Sequence, residues 1–342
     1  MRGSTTRPGA APFPRLRAAL GVTRLARVTL LDRAGVEVAC AIRPRGHVLQ
    51  VSNGKGERFA EAARGAVLEA AELHASEHPP PGAGPLALVP ARDLLSGAER
   101  LVPARAVYCP APGERPVAGP EARWTSNGMG AHRSRGAALL HALLEAVERD
   151  QLARSLPHLW TRGAVARRMI DRRSLARAAP RAARVAAKVE AGGFEVFLFD
   201  LGHRLPLPVA GALLFDLERG ALPVTAGYAC ALSPDAALRG ALLEAAQSRL
   251  TDIHGAREDV EPMDREAARL LRRWCEGVRP VRTAAGLARV RARGAAAAIA
   301  AVLRRLRRAG VREVAAIDLA IPGAGVHVVK VLVPGFRLSE LL

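Results

Sequence analysis

Three stretches of this 342-residue sequence set a carboxylate three residues before a second carboxylate or an amide, each time among alanines and aliphatic residues. They are Ala66-Val67-Leu68-Glu69-Ala70-Ala71-Glu72, Ala142-Leu143-Leu144-Glu145-Ala146-Val147-Glu148-Arg149 and Ala241-Leu242-Leu243-Glu244-Ala245-Ala246-Gln247-Ser248-Arg249. On a helix an i, i+3 pair stands on one face, one turn apart. A single such helix has an ordinary explanation, because glutamate is a good helix former and belongs on the solvated side. Recurrence admits a second one. Like charges at this spacing repel mildly, flanking alanines permit close approach, and converging carboxylates need cations. An all-oxygen donor set suits magnesium, which recruits a few carboxylates and completes its shell with substrate phosphates. Five carboxylates with arginines beside them therefore point to a metal–triphosphate site rather than an acid–base pair, and the solvated-face alternative stays open.

Only three of the 51 basic residues are lysine: Lys55, Lys188 and Lys330. Lys55 sits in Gly54-Lys55-Gly56, ahead of the first acidic helix. Glycines let a backbone approach an anion, and a helix N-terminus favours one. A flexible turn is the alternative, and the tripeptide is not a Walker A loop. Ser126-Asn127-Gly128, ahead of the second acidic helix, is another turn signal with polar groups near a helix start.

The elements that must position these residues follow from periodicity and punctuation. Helices are predicted over 57–76, 134–156 and 234–253, the first stopped by Pro79 to Pro81. Strands are predicted over 27–31, 36–43, 47–52, 195–200, 208–215, 224–231 and 327–333, and 78–86 reads as a surface loop. Two segments, 182–201 and 297–319, share a plan of Ala/Arg helix, glycine and short strand ending in Asp-Leu, which packs helices on one face of a sheet. Residues 1–20, rich in Pro, Gly and Arg, read as a loosely held basic arm. No linker divides the rest, so 21–342 is expected to form a single α+β domain.

Composition narrows the class. Nearly half the residues are apolar and aromatics are scarce, so Leu, Val and Ala must fill the core. The net charge is +19, and its basic residues are nearly all arginine, a preference that codon bias in a GC-rich genome produces alongside abundant Ala, Gly and Pro; helix-like stretches such as Ala301–Arg308 read as a solvated face. Nucleic acid is not the expected partner, because interleaved aromatics for stacking are missing. Four cysteines without CxxC spacing fit a reduced cytoplasmic protein. There is no signal segment, and no apolar run is long enough to span a bilayer.

In order, these pieces resemble the YcaO family, over roughly residues 20–336. Its members carry a GKG loop, a helix with ExxE, then S/TNG before a helix ending in ExxER, and a helix with ExxQ. The matches here are Gly54-Lys55-Gly56 with Glu69 and Glu72, Thr125-Ser126-Asn127-Gly128 with Glu145, Glu148 and Arg149, and Glu244 with Gln247. The resemblance implies an ATP fold without a P-loop, of mixed and antiparallel sheets with packed helices. In it Glu69, Glu72, Glu145, Glu148, Glu244 and Gln247 hold Mg2+. Gly54, Lys55, Gly56, Ser126, Asn127, Arg149 and Arg249 meet ATP. It implies phosphorylation of a backbone amide oxygen after a nucleophile adds to the carbonyl.

Within the family the chain looks most like members encoded beside TfuA-like proteins. The residues that carry this are Gly21-Val22-Thr23-Arg24, Leu31-Asp32-Arg33-Ala34-Gly35-Val36, Gln247-Ser248-Arg249-Leu250-Thr251, Gly255-Ala256-Arg257-Glu258-Asp259 and Val333-Pro334-Gly335. That likeness implies backbone thioamidation, in the biosynthesis of ribosomally made peptides, with a TfuA-like or other partner delivering sulfur or substrate. It is compatible with a homodimer. Azoline-forming cyclodehydration is the alternative, although the proline-rich tail common in azoline formers is absent. A non-catalytic scaffold that binds peptide is the third reading. Three departures bear on it: Gly65 stands for serine; Leu73 stands for arginine, although leucine suits the TfuA-associated members; and, most seriously, His132-Arg133 stands for Gly-Asn with Ala137 for glutamate, where Arg133 either contacts a phosphate directly or marks weakened ATP binding.

Overall fold

The computed structural model describes residues 13–113, 124–218, 220, 222–255 and 263–339. In chain order the elements are α1 (Pro14–Ala19), β1 (Arg24–Arg27), β2 (Glu37–Ile42), β3 (Val51–Gly56), α2 (Phe59–Glu77), β4 (Leu88–Asp93), β5 (Glu99–Pro103), α3 (Ala104–Val107), β6 (Met129–His132), α4 (Arg135–Ser155), α5 (Arg162–Arg168), α6 (Leu175–Ala178), α7 (Pro180–Ala191), β7 (Phe194–Asp200), β8 (Val209–Asp216), β9 (Val224–Cys230), α8 (Pro234–Ile253), α9 (Arg265–Gly277), α10 (Gly294–Arg308), β10 (Ala315–Leu319) and β11 (His327–Leu332). The architecture is α+β, with sheets β1-β2-β3, β5-β4-β10-β11-β6 and β7-β8-β9, every pairing antiparallel.

The three acidic helices begin and end close to where the sequence predicts. Ser134 and Ser233 cap α4 and α8, their hydroxyls accepting from the N–H groups of Ala137 and Ala236, which satisfies donors that a helix start leaves unpaired. Each helix lies on one sheet: α2 on β2 and β3, α4 on β6 and β11, α8 on β8 and β9. Three apolar clusters result, built around α2, α4 and α8 in turn, with α7 joining α8 and α10 joining α4.

A glycine makes each close approach possible. A methyl group on Gly54 of β3 would lie 2.0 Å from the Ala62 carbonyl oxygen of α2; one on Gly130 of β6 would lie 2.3 Å from that of Ala138 of α4; one on Gly227 of β9 would lie 2.1 Å from the Ala245 nitrogen of α8. The sequence repeat thus extends from helix to strand. Gly227→Ala is expected to destabilise the fold by about 1–3 kcal/mol or more through overpacking. Gly277→Ala, where nothing lies within 4 Å, leaves the denaturation midpoint almost unchanged. Equal midpoints for the two variants would refute the packing role.

Several boundaries differ from expectation. Residues 13–20 are not a loose arm: α1 buries Leu16, and Leu20 follows it into the core at 4% exposure. Residues 1–12 lie outside the described residues. Residues 54–56 end strand β3 rather than forming a turn, and the strand predicted over 47–52 begins only at Val51. After β1 the chain makes a 3-10 turn over Thr29–Leu31 that leaves Leu30 86% exposed, so alternation there misled. β4, β5, β6, α1, α3, α5, α6 and α9 were not anticipated. Among the described residues no helix is long and apolar enough to cross a membrane, and the four cysteines are free thiols.

Candidate active site

β3, β6 and β9 each end a sheet, so part of their backbone N–H groups face away from the ladder. The glutamates use them. Asn53 N–H of β3 donates to Glu69 at 2.8 Å, Ala131 N–H of β6 to Glu72 at 2.7 Å, Cys230 N–H of β9 to Glu148 at 2.8 Å, and Tyr228 N–H of β9 to Glu244 at 3.4 Å. Lys55 Nζ on β3 donates to Glu244 at 2.5 Å. Glu72 on α2 therefore reaches the strand beneath α4, Glu148 on α4 reaches the strand beneath α8, and Glu244 on α8 reaches the strand beneath α2. The three strand–helix units interlock in a ring, with their carboxylates facing one another at its centre.

Charge accumulates there. Burial raises the Glu69 carboxyl to about 7, assisted by Glu145 and Glu244 and opposed by the Asn53 N–H and Lys55. Glu72 is pushed well above the usual carboxylate range by burial, then by Glu145 and Glu69. Glu148 is raised by burial against the pull of Arg149. Glu244 stays low despite burial because Lys55 and Arg149 hold its charge. Of the five only Glu148 is buried, at 7% exposure; Glu69, Glu72, Glu145 and Glu244 are more accessible. Carboxylates so crowded by protein yet still wetted line a cleft.

Arg149 stands 3.6 Å from Glu145 and 3.7 Å from Glu148, and its buried Nε has no hydrogen-bond partner among the described residues. A buried guanidinium N–H left unpaired is costly, and an anion in the cleft would satisfy it. Among the described residues no three His, Cys, Asp or Glu side chains are gathered tightly enough to cage a metal ion alone. Magnesium, which keeps waters and takes phosphate oxygens into its shell, suits an incomplete set of carboxylates spread over one cleft. The residues present therefore fit a magnesium–nucleotide complex. Glu69, Glu72, Glu145, Glu148 and Glu244 are the oxygen donors on offer, and Lys55 and Arg149 the cations.

Such a site binds magnesium in competition with protons. The sign follows from the raised carboxyls: below pH 7 Glu69 is increasingly protonated, so magnesium affinity falls with falling pH. Half-saturating magnesium is expected to drop by roughly fivefold from pH 6 to pH 7 and to flatten above pH 8, as release of one proton from a group titrating at about 7 requires. Magnesium titrations at fixed ATP across this range measure it, and a pH-independent half-saturation would exclude these carboxylates as ligands.

Residues that sequence reasoning missed complete the cleft. Lys330 on β11, 1% exposed, donates to the carbonyls of Thr125 and Asn127 and thereby ties the Ser126-Asn127 turn to the sheet. Burial lowers its ammonium to about 8, while Glu145 and Glu72 favour the charge. Its signal was lysine in an arginine-preferring chain. His141, one turn before Glu145, is accessible to solvent; burial among protein atoms lowers its pKa, against the favourable charge of Glu145. Ser126 is exposed at the turn, Gln247 is half-buried one turn after Glu244, and Gly54 and Gly56 press β3 against α2.

Two arginines do something else. Arg133 lies over the Phe13 ring, 4.6 Å from its centroid. Arg249, expected at the nucleotide, is 2% exposed and fully engaged: with Asp32 at 3.0 and 3.3 Å, with Asp216 at 3.2 Å, with the Leu222 carbonyl at 2.9 Å, and over the Phe194 ring at 4.6 Å. Arg33 joins Asp216 from the other side. The 31–36 and 247–251 motifs are thus joined in one buried ion cluster that fastens α8 to β8 and to the segment before β2. Of the 255–259 motif, residues 256–259 lie outside the described residues.

Known proteins resemble the chain in sequence and in fold. A family model described as YcaO cyclodehydratase, ATP- and Mg2+-binding, matches residues 79–337. An uncharacterized protein of Methanothermobacter thermautotrophicus is 30% identical, over 94% of this chain and 91% of its own. An uncharacterized protein in the tfuA 3' region of Rhizobium leguminosarum bv. trifolii is 29% identical, over 93% of this chain and 84% of its own. Among solved structures, YcaO from Methanopyrus kandleri bound with AMPPCP and Mg2+ superposes with a TM-score of 0.74 at 24% identity, covering 94% of this chain and 88% of that one.

Proposed function

The chain belongs to the YcaO family, and from that premise we propose that it uses ATP and magnesium to activate a peptide backbone amide, with thioamide formation as the reaction. The observation that carries the activation step is the ring of five carboxylates with Lys55 and Arg149 at one cleft. Bound ATP and magnesium supply a transferable phosphoryl group, which makes an amide oxygen a good leaving group once a nucleophile has added to the carbonyl. The chain's part is to hold and orient. The edge-strand N–H groups fix the carboxylates that accept the metal, Lys55 and Arg149 offset phosphate charge, and Lys330 fixes the turn at Ser126-Asn127. Thioamidation is supported by the likeness to the relative in a tfuA 3' region, with a TfuA-like protein as the partner that delivers sulfur. Cyclodehydration of Cys, Ser or Thr to an azoline is the second reading, supported by the description of the family model.

Product mass separates them. With a candidate peptide, ATP, magnesium and the partner, replacement of amide oxygen by sulfur adds about 16 Da, whereas loss of water subtracts about 18 Da, both driven by the same phosphoryl transfer. A chain that binds no nucleotide would refute both readings and leave a peptide-binding scaffold, to which Ala137 and His132-Arg133 belong naturally.

A further inference from the structure

Between residues 277 and 312 the sequence holds ten arginines and no lysine, aspartate or glutamate. Codon preference accounts for arginine in place of lysine; it does not account for the missing acids. The structure gathers half of these arginines. Arg289 and Arg291, from the segment before α10, and Arg304, Arg305 and Arg308 of α10 line a surface groove of about 480 Å3 whose far wall is Pro206. Arg305 is its staple: Nε donates to the Pro206 carbonyl at 3.2 Å, and the two Nη groups donate to the carbonyls of Arg289 at 3.2 Å and Ala301 at 3.1 Å. The other four guanidiniums are exposed, and among the described residues none is in an ion pair. Some surface arginines elsewhere find carboxylates, as Arg172 does in Glu190 and Arg135 in Asp318; what sets this group apart is that five of them line one groove. An uncompensated set of like charges in a concave, preformed site favours an anionic ligand.

Both walls of the groove hang on elements of the acidic cleft. The N–H groups of His203 and Leu205 donate to Gln151 Oε1 at 3.0 and 3.1 Å, and Gln151 lies on α4 one turn beyond Glu148. Val290 N–H donates to the Leu232 carbonyl at 2.8 Å, two residues past Cys230, whose own N–H holds Glu148. A chain seated in the groove is therefore tied to the same framework as the reacting centre.

We propose that this arginine groove binds an acidic segment of the peptide substrate, holding it while a neighbouring stretch enters the cleft. The proposal rests on the reading of the chain as a peptide-modifying enzyme. Planar guanidinium forks match carboxylates in paired hydrogen bonds, and the groove lacks the aromatic platforms on which a single-stranded nucleic acid stacks.

A fluorescent hexaglutamate peptide is the probe, read by anisotropy at 50 mM salt without nucleotide, against wild type and the variant Arg289→Glu, Arg304→Glu, Arg308→Glu. Binding that weakens tenfold or more in the variant, and again on raising salt to 300 mM as screening requires, is expected; binding that survives the three substitutions overturns the proposal. Tighter binding of a labelled twelve-residue oligodeoxythymidine than of the peptide, lost in the same variant, also overturns it in favour of nucleic acid. Hexaglutamate extended by twelve glycines should raise magnesium-dependent ATP turnover above that with twelve glycines alone, in wild type but not in the variant. Binding without that stimulation in a turnover-competent chain would assign the groove to a partner protein instead. A chain that captures hexaglutamate through these arginines yet hydrolyses no ATP under any condition would sink the enzymatic reading while leaving the anionic site.

Discussion

Glu145→Gln is expected to abolish magnesium-dependent ATP turnover, by about a thousandfold or more, while the folded chain becomes no less stable. The first half follows from what the charge does. Glu145 is felt by Glu69, Glu72, Glu148, Arg149, His141 and Lys330 alike, so it sits at the electrostatic centre of the cleft. A carboxylate ligand made neutral keeps its shape but loses most of its attraction for magnesium, and metal-assisted phosphoryl transfer depends on that cation to offset developing charge. The second half follows from like-charge repulsion. In the metal-free chain the five carboxylates oppose one another, and removing one charge relieves its neighbours. Glu69 should accordingly titrate lower in the variant, since Glu145 raises it. Turnover per nucleotide-binding site, magnesium dependence and a denaturation curve measure the three effects together. Turnover with wild-type magnesium dependence would remove the metal assignment; lost turnover accompanied by a collapsed midpoint would mean that Glu145 is structural.

What the sequence made legible was local. Glutamates three residues apart on one helical face are a fixed consequence of 3.6-residue periodicity, and their recurrence located all three helices to within a few residues. How the glutamates are held was not legible, because Ala131, Cys230 and Lys55 reach Glu72, Glu148 and Glu244 from strands of other units. Those partnerships depend on which strand ends a sheet. The glycines hid in plain view: Gly54 read as an anion-approach or turn signal and Gly130 and Gly227 drew no reading of their own, yet each sits in a strand where a side chain would strike a helix. Lys330 was conspicuous only by type, since nothing near it in sequence indicates the turn some 200 residues earlier whose carbonyls it holds. The amphipathic α9, which buries Ala268, Leu271 and Cys275 on one face, carries a readable helical period.

The same periodicity exposes why Arg149 and Arg249 part company, and the consequence is the second large effect. Arg149 follows Glu145 by four residues, which keeps it on the same face; Arg249 follows Glu244 by five, which turns it about 140° round the helix and away from the cleft. It enters instead a pocket with Asp32 and Asp216, whose side chains are 4% and 0% exposed. Burial alone would raise the Asp216 carboxyl, yet the Arg33 hydrogen bond and the Arg249 charge hold it below the ordinary value. Arg249→Met leaves one buried carboxylate without its counter-ion and the other with Arg33 only. Truncating one side of such a pair costs about 3–5 kcal/mol, so the denaturant midpoint should fall sharply. Nucleotide affinity of the chain that remains folded, measured at low temperature, should stay within about twofold of wild type, because each tenfold change would require about 1.4 kcal/mol of contact energy that this side chain has no means to supply. A variant of normal stability that binds ATP ten times more weakly would return Arg249 to the phosphates. Pairing Arg249→Met with Asp32→Leu sharpens the test: neutralising one stranded acid should recover part of the stability, and a nucleotide ligand would show no such rescue.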